Sequence, residues 1–251
     1  MQSLFDILLL PIGLAILIKG ADWLVEGAVM LARRLGLSPL VIGLTIVAMG
    51  TSAPEVAASI AATLSGSGDI AVGNVYGSNI ANLALVGGLC ALMRPIQVQP
   101  ASRRRDLPLM IGSALLLWPF LRSGTLARGG ALFLLLLFVG ILIYMIRSER
   151  KRFGSAVLSE EEKQYLQKPT KGVGISALFI FLGLLALGIG ARLTVYSASS
   201  IGRMIGLSEA VIGMTIVAVG TSLPEMITCL VASFRKHDDL SIGNLVGSNI
   251  F

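Results

Sequence analysis

Two glutamates carry the chemistry this chain can offer. Glu55 and Glu225 each directly follow a proline, Pro54 and Pro224, inside otherwise apolar stretches. An ionisable side chain at membrane depth is costly, so its default reading is functional. The residues around both glutamates are oxygen donors. Thr51 and Ser52 precede Glu55, and Thr221 and Ser222 precede Glu225. Ser78, Asn79 and Asn82 follow the first, and Ser248 and Asn249 the second. Ser78 and Asn82 are four residues apart and share one helix face. Carboxylate, hydroxyl and amide oxygens suit hard cations such as Ca²⁺ and Na⁺, whereas zinc or copper would call for histidine or thiolate. Two glutamates match the charge of one Ca²⁺, and could equally face several Na⁺ or take up protons. Facing each other uncompensated in low dielectric, they repel, so the pair implies a bound cation or proton. That favours exchange over open conduction.

The prolines shape the backbone beside the carboxylates. Pro54 cannot donate a backbone hydrogen bond and clashes with the Gly50 carbonyl, so the helix should break or kink there. Carbonyls from Ala48 to Gly50 are then expected to become available as ligands, tolerable only where they line a cavity. Gly220, Thr221, Ser222, Pro224 and Glu225 repeat the device. Blander readings compete. The hydroxyls of Thr51, Ser52, Thr221 and Ser222 can bond back to their own helix. Asn74 and Asn244 read as packing or interhelical groups, and Gly73 with Gly77 and Gly243 with Gly247 as GxxxG packing surfaces. Asp22 and Glu26 read as the solvated end of the first helix.

What positions these residues is a repeat. A constant shift of 170 carries residues 36–81 onto 206–251 without a gap, and 23 of the 46 pairs are identical. The chain has 251 residues, 55% hydrophobic and 14% charged, with mean hydropathy +0.84, which describes a polytopic membrane protein. Helices are expected near 3–24, 37–64, 70–93, 107–121, 130–147, 172–199 and 207–234, with an eighth starting near 239. Five helices separate equivalent points, so the two copies cross the membrane in opposite directions. Inverted repeats of this kind bring equivalent residues together near the bilayer midplane. Glu55 and Glu225 should therefore meet.

Charge sets the orientation. With the N-terminus outside, inner loops hold fifteen basic residues and outer loops only Arg122, Arg128 and Arg203, as the positive-inside rule requires. The +6 net charge therefore needs no nucleic acid to explain it. The N-terminal segment lacks a basic n-region and carries Asp6, so helix 1 should be retained rather than cleaved. Cys90 and Cys229 lie in apolar helices and read as small core residues, with neither a disulfide nor a metal pair indicated. The fold class is thus an all-α polytopic membrane protein of two inverted repeats. Residues 1–147 form the first, 148–171 a cytoplasmic linker, and 172–251 the second, which is expected to lack its last two and a half helices.

The segments GTSAPE and GSNIAN, repeated as GTSLPE and GSNIF, resemble the alpha-1 and alpha-2 repeats of the calcium/cation antiporter superfamily, and most nearly prokaryotic sodium/calcium exchangers. The resemblance covers essentially the whole chain. It implies ten helices in two inverted five-helix repeats, about seven and a half of them present here. It further implies a multi-pass inner-membrane antiporter, not an enzyme, with no cofactor, whose partners are Ca²⁺, Na⁺ and membrane lipid. Carried over by motif position, it makes Glu55 and Glu225 the central ligands. Thr51, Ser52, Thr221, Ser222, Ser78, Asn82 and Ser248 assist them, with the carbonyls of Ala48 and Ala218. It also implies that helices 1 and 6 slide across the core; Gly20-Ala21 recurs as Gly190-Ala191. Exchange against H⁺, or dependence on K⁺, is the competing reading within this fold. A remote one is an intramembrane aspartyl protease, from the GxGD pattern Gly66-Ser67-Gly68-Asp69. Asp69 falls at a predicted loop, whereas aspartyl catalysis needs two aspartates sharing a proton.

Overall fold

The structure is a computed structural model that describes residues 2–100, 102–122, 126–154 and 172–251. The described residues are helical apart from short turns. In chain order the helices are α1 (Gln2–Leu35), α2 (Pro39–Thr51), α3 (Ala53–Leu64), α4 (Gly68–Met93), α5 (Leu107–Arg122), α6 (Arg128–Gly154), α7 (Val173–Met204), α8 (Gly213–Thr221), α9 (Leu223–Phe234) and α10 (Asp238–Ile250). α1, α4, α6 and α7 are each long and apolar enough to cross a membrane, and the bent pairs α2–α3 and α8–α9 are each long enough to do so together. The expected linker falls on residues outside the described ones, except that 148–154 continue α6.

The repeat holds at the level of local backbone. α2–α3 bends by 45° and α8–α9 by 49°, with Ser52 (φ −83°, ψ 3°) and Ser222 (φ −88°, ψ 5°) at the two breaks. Pro54 and Pro224 sit in the first turn after each break, where a missing N–H costs no helical bond. A π-helical turn precedes each break, Gly43–Val47 and Gly213–Val217. In each turn a threonine hydroxyl donates four residues back, Thr45 to Val41 and Thr215 to Val211, both at 2.6 Å.

α1 and α7 form a long antiparallel pair whose backbones touch through glycine. A Cβ on Gly20 would stand 2.8 Å from the Leu187 amide nitrogen, and one on Gly190 2.8 Å from that of Leu17. Gly13, Gly27 and Gly183 are equally confined. Packing of this closeness replaces hydrophobic drive between helices surrounded by lipid. α1 continues well past its expected end, through Asp22 and Glu26 to Leu35. Asp22 is not a solvated end; it pairs at 2.8 Å with Arg235, just beyond α9.

α10 lies against α2 in the same manner. Cβ atoms on Gly43 and Gly247 would meet the carbonyls of Leu240 and Leu44 at 2.6 Å. The equivalent glycines of the other copy, Gly73, Gly77 and Gly213, face open space within 4 Å. Only the second GxxxG is therefore packed, since α8 does not approach α4 as α2 approaches α10. Gly20→Val should lower the melting temperature in detergent, with a cost of about 1–3 kcal/mol for overpacking. Gly188→Ala, which meets nothing within 4 Å, should hold or raise it in the same assay, since alanine in a helix interior is favoured over glycine by about 0.5–1 kcal/mol.

Candidate functional site

Both glutamates are withdrawn from water where the two copies meet. Glu55, in the first turn of α3, is 7% exposed, and Glu225, in the first turn of α9, is 1% exposed. They lie near enough for their charges to act on each other. Ser52 stands at the bend, three residues before Glu55, and its hydroxyl donates to Glu225 Oε1 at 3.0 Å. Equivalent carboxylates 170 residues apart thus share one centre.

Oxygens around this centre are buried yet unpaired. Both Glu55 carboxylate oxygens, Glu225 Oε2, Ser222 Oγ, Ser248 Oγ, Asn82 Oδ1 and Asn249 Oδ1 have no hydrogen-bond partner among the described residues. One such group costs a kilocalorie or more, and the acceptor oxygens here outnumber the two serine hydroxyls that could donate to them. A cation can satisfy it, because every unpaired atom is a hard oxygen. Beside the break opens a cleft of about 370 Å³, lined by Ser52, Glu55, Ser59, Ser78, Asn82 and Ser248 among others. It continues along α3 past Thr63 to Leu64, at that helix's end.

The remaining predicted residues stand differently. Thr51 is buried, and its hydroxyl lies 3.3 Å from the Ala48 carbonyl and 3.1 Å from Asn244 Oδ1. The Ala48 carbonyl is also held at 3.0 Å by the Ser52 amide, so the bend leaves it one lone pair rather than freeing it. Thr221 donates to the Ala218 carbonyl at 3.0 Å. Ala218 is exposed on α8, and neither it nor Thr221 lines the cleft. Asn74 and Asn244 serve interhelical bonding, as expected. Asn74 donates to the Glu55 backbone carbonyl at 3.0 Å and to Ser59 Oγ at 2.8 Å. Asn244 donates to Cys229 Sγ at 3.4 Å, the same pairing with sulfur in place of oxygen.

Ser59 and Ser113 also line the cleft, and sequence reasoning does not anticipate them. Ser59 could have been found from its place one turn after Glu55 on the same face. Ser113, a lone hydroxyl in α5, gives no such signal. Asp69, the aspartate of the GxGD pattern, is exposed in the first turn of α4.

The model of the sodium/calcium exchanger protein family matches residues 5–147 and 175–251. The chain belongs to the sodium/calcium exchanger family. It is 38% identical to Inner membrane protein YrbG of Escherichia coli over 245 residues, 97% of this chain and 75% of that protein. It is 32% identical to Sodium/calcium exchanger MaX1 of Methanosarcina acetivorans over 277 residues, 98% of this chain and 79% of MaX1. A solved structure of the sodium-calcium exchanger NCX_Mj, soaked with Na⁺ and Ca²⁺, matches with TM-score 0.80 at 32% identity, covering 100% of this chain and 78% of that one. As an exchanger-family protein with this fold, the chain is a multi-pass membrane cation antiporter. Its all-helical architecture of two inverted repeats agrees with the sequence reading.

Ser52→Ala removes a hydrogen bond to a charged, buried carboxylate, worth about 1.5–3 kcal/mol. Ca²⁺ binding, followed by equilibrium binding of ⁴⁵Ca²⁺, should weaken about tenfold or more. Ser65→Ala, in the exposed turn after α3, should not change it.

Proposed function

We propose that this exchanger moves Ca²⁺ in one direction against Na⁺ in the other, by alternating access around Glu55 and Glu225. The observation that carries the reading is the buried centre itself: two carboxylates from inverted copies, with Ser52 of one copy donating to Glu225 of the other and unpaired oxygens around them. Glu55 and Glu225 together neutralise one Ca²⁺. Ser52, Ser78, Asn82, Ser222 and Ser248 complete an oxygen shell, with Thr51 and the Ala48 carbonyl at its edge, while Thr221 and the Ala218 carbonyl stand outside the cleft in this form. Na⁺ uses the same oxygens, so the two ions compete for them and cannot occupy the full set together. Exchange follows from that competition.

The N-terminus lies outside, and α1 with α7 moves across the core as one body. Residues 1–147 and 172–251 act as the two inverted units, joined by a cytoplasmic linker at 148–171. The membrane is an inner membrane, a reading supported by the likeness to Inner membrane protein YrbG of Escherichia coli. Exchange against H⁺ is the second reading, since buried carboxylates with unpaired oxygens accept protons as readily as cations.

The test uses full-length protein in Na⁺-loaded proteoliposomes, diluted into Na⁺-free buffer with ⁴⁵Ca²⁺ outside. Uptake should require internal Na⁺ and fail with a pH gradient alone; uptake driven only by the pH gradient would assign the site to Ca²⁺/H⁺ exchange. Glu55→Gln and Glu225→Gln should each reduce uptake to near background, and robust exchange by either would sink the site assignment. Asp69→Asn, at an exposed residue that does not line the cleft, should transport normally.

A further inference from the structure

The cleft that reaches Glu55 is open in one copy, and its counterpart is shut in the other. On α3 the cleft is lined by Val56, Ser59, Ile60 and Thr63. The shift of 170 carries these onto Met226, Cys229, Leu230 and Ser233 of α9. There the equivalent face is packed. Met226, Cys229 and Leu230 join Val86 and Cys90 of α4 and Leu245 of α10 in one apolar cluster.

Within that cluster the chain's two cysteines meet. Cys90 and Cys229 are each 1% exposed, 139 residues apart in sequence, and belong to the same buried cluster. Cys229 stands one helical turn after Glu225 on the same face, and Cys90 two turns after Asn82. Beyond the thiols the route is closed again. The Arg94 guanidinium donates to the Ser233 carbonyl and pairs with Asp238 at 3.3 Å. With the N-terminus outside, the open cleft faces outward, and this plugged face is the way in from the cytoplasm. In inverted repeats, the route open in one copy predicts the route that opens in the other.

We propose that the Cys90–Cys229 contact is the inner gate of the ion pathway and a site of oxidation, so that a disulfide between them bolts the exchanger in its outward-facing form. The inference rests on alternating access as proposed above. Opening the cytoplasmic route must part α4 from α9, and with them the two sulfurs. A covalent bond prevents it. In that reaction each thiol loses one proton and one electron, one S–S bond forms, and the two electrons pass to the oxidant. Copper(II)–phenanthroline, which partitions into membranes, serves as that oxidant, with dioxygen as terminal acceptor.

Full-length protein in proteoliposomes is oxidised, and the intramolecular disulfide is scored by peptide mass beside Na⁺-driven ⁴⁵Ca²⁺ uptake. The expected result is a Cys90–Cys229 disulfide, at least a tenfold fall in uptake, and recovery on reduction. Cys90→Ser and Cys229→Ser should exchange like the parent and ignore the oxidant; serine already stands at position 59, the equivalent of Cys229. Failure to form the disulfide, or inhibition that persists in both serine variants, overturns the proposal. Undiminished exchange with the disulfide in place refutes the gate alone. A protein that takes up no Ca²⁺ before oxidation refutes exchange, and the gate with it.

Discussion

Two carboxylates are buried where the surrounding protein cannot satisfy them. Placing one charge in a low-dielectric interior costs several kilocalories after relaxation, and two of the same sign cost more. Most proteins avoid this or pair each acid with a base. Here no Lys or Arg lines the cleft, and the neighbours are neutral oxygens that are themselves partly unpaired. The centre is therefore built to be completed by something positive that comes and goes. Every larger feature serves that requirement. The bends at Ser52 and Ser222 turn carboxylates inward from helix starts, and the glycine contacts let backbones close in tightly enough to exclude water.

Duplication simplifies the problem. One broken helix supplies half of the buried oxygen centre, and inverting a second copy supplies the other half without a new local design. The detail of the match shows how literal this is, down to threonine bonds within the paired π turns and an asparagine reaching back to residue 59 or 229. Yet the copies are not in the same state. α2 is docked on α10 through Gly43 and Gly247, whereas α8 stands off from Gly73 and Gly77. A machine of two equal halves can alternate only if the halves are unequal at any instant.

Much of this was legible in the sequence, and for definite reasons. The shift of 170 preserves proline, glutamate and glycine together, and these residues act through backbone geometry that needs no knowledge of the tertiary fold. The helix breaks and the meeting of Glu55 with Glu225 follow from them. The length of α1 did not, because Asp22 and Glu26 look like a boundary until Arg235 is seen beside Asp22. Nor could the packing of one GxxxG and not the other be read, since the motif is the same in both and the difference lies in the partner face. The cysteine contact escaped for a similar reason. Two thiols 139 residues apart carry no pairing signal until α4 docks on α9.

The α1–α7 seam has a further property. Gly13 lies against Gly190, and Gly20 against Gly183; under the shift of 170, Gly13 becomes Gly183 and Gly20 becomes Gly190. Each contact is thus the image of the other. This is the isologous pattern of a two-fold dimer, in which residue i meets j and j meets i. A single repeat therefore carries both faces of the seam, and two unlinked copies inserted in opposite directions would have all the contacts needed to find each other. The linker joins halves whose affinity is already written into the glycines.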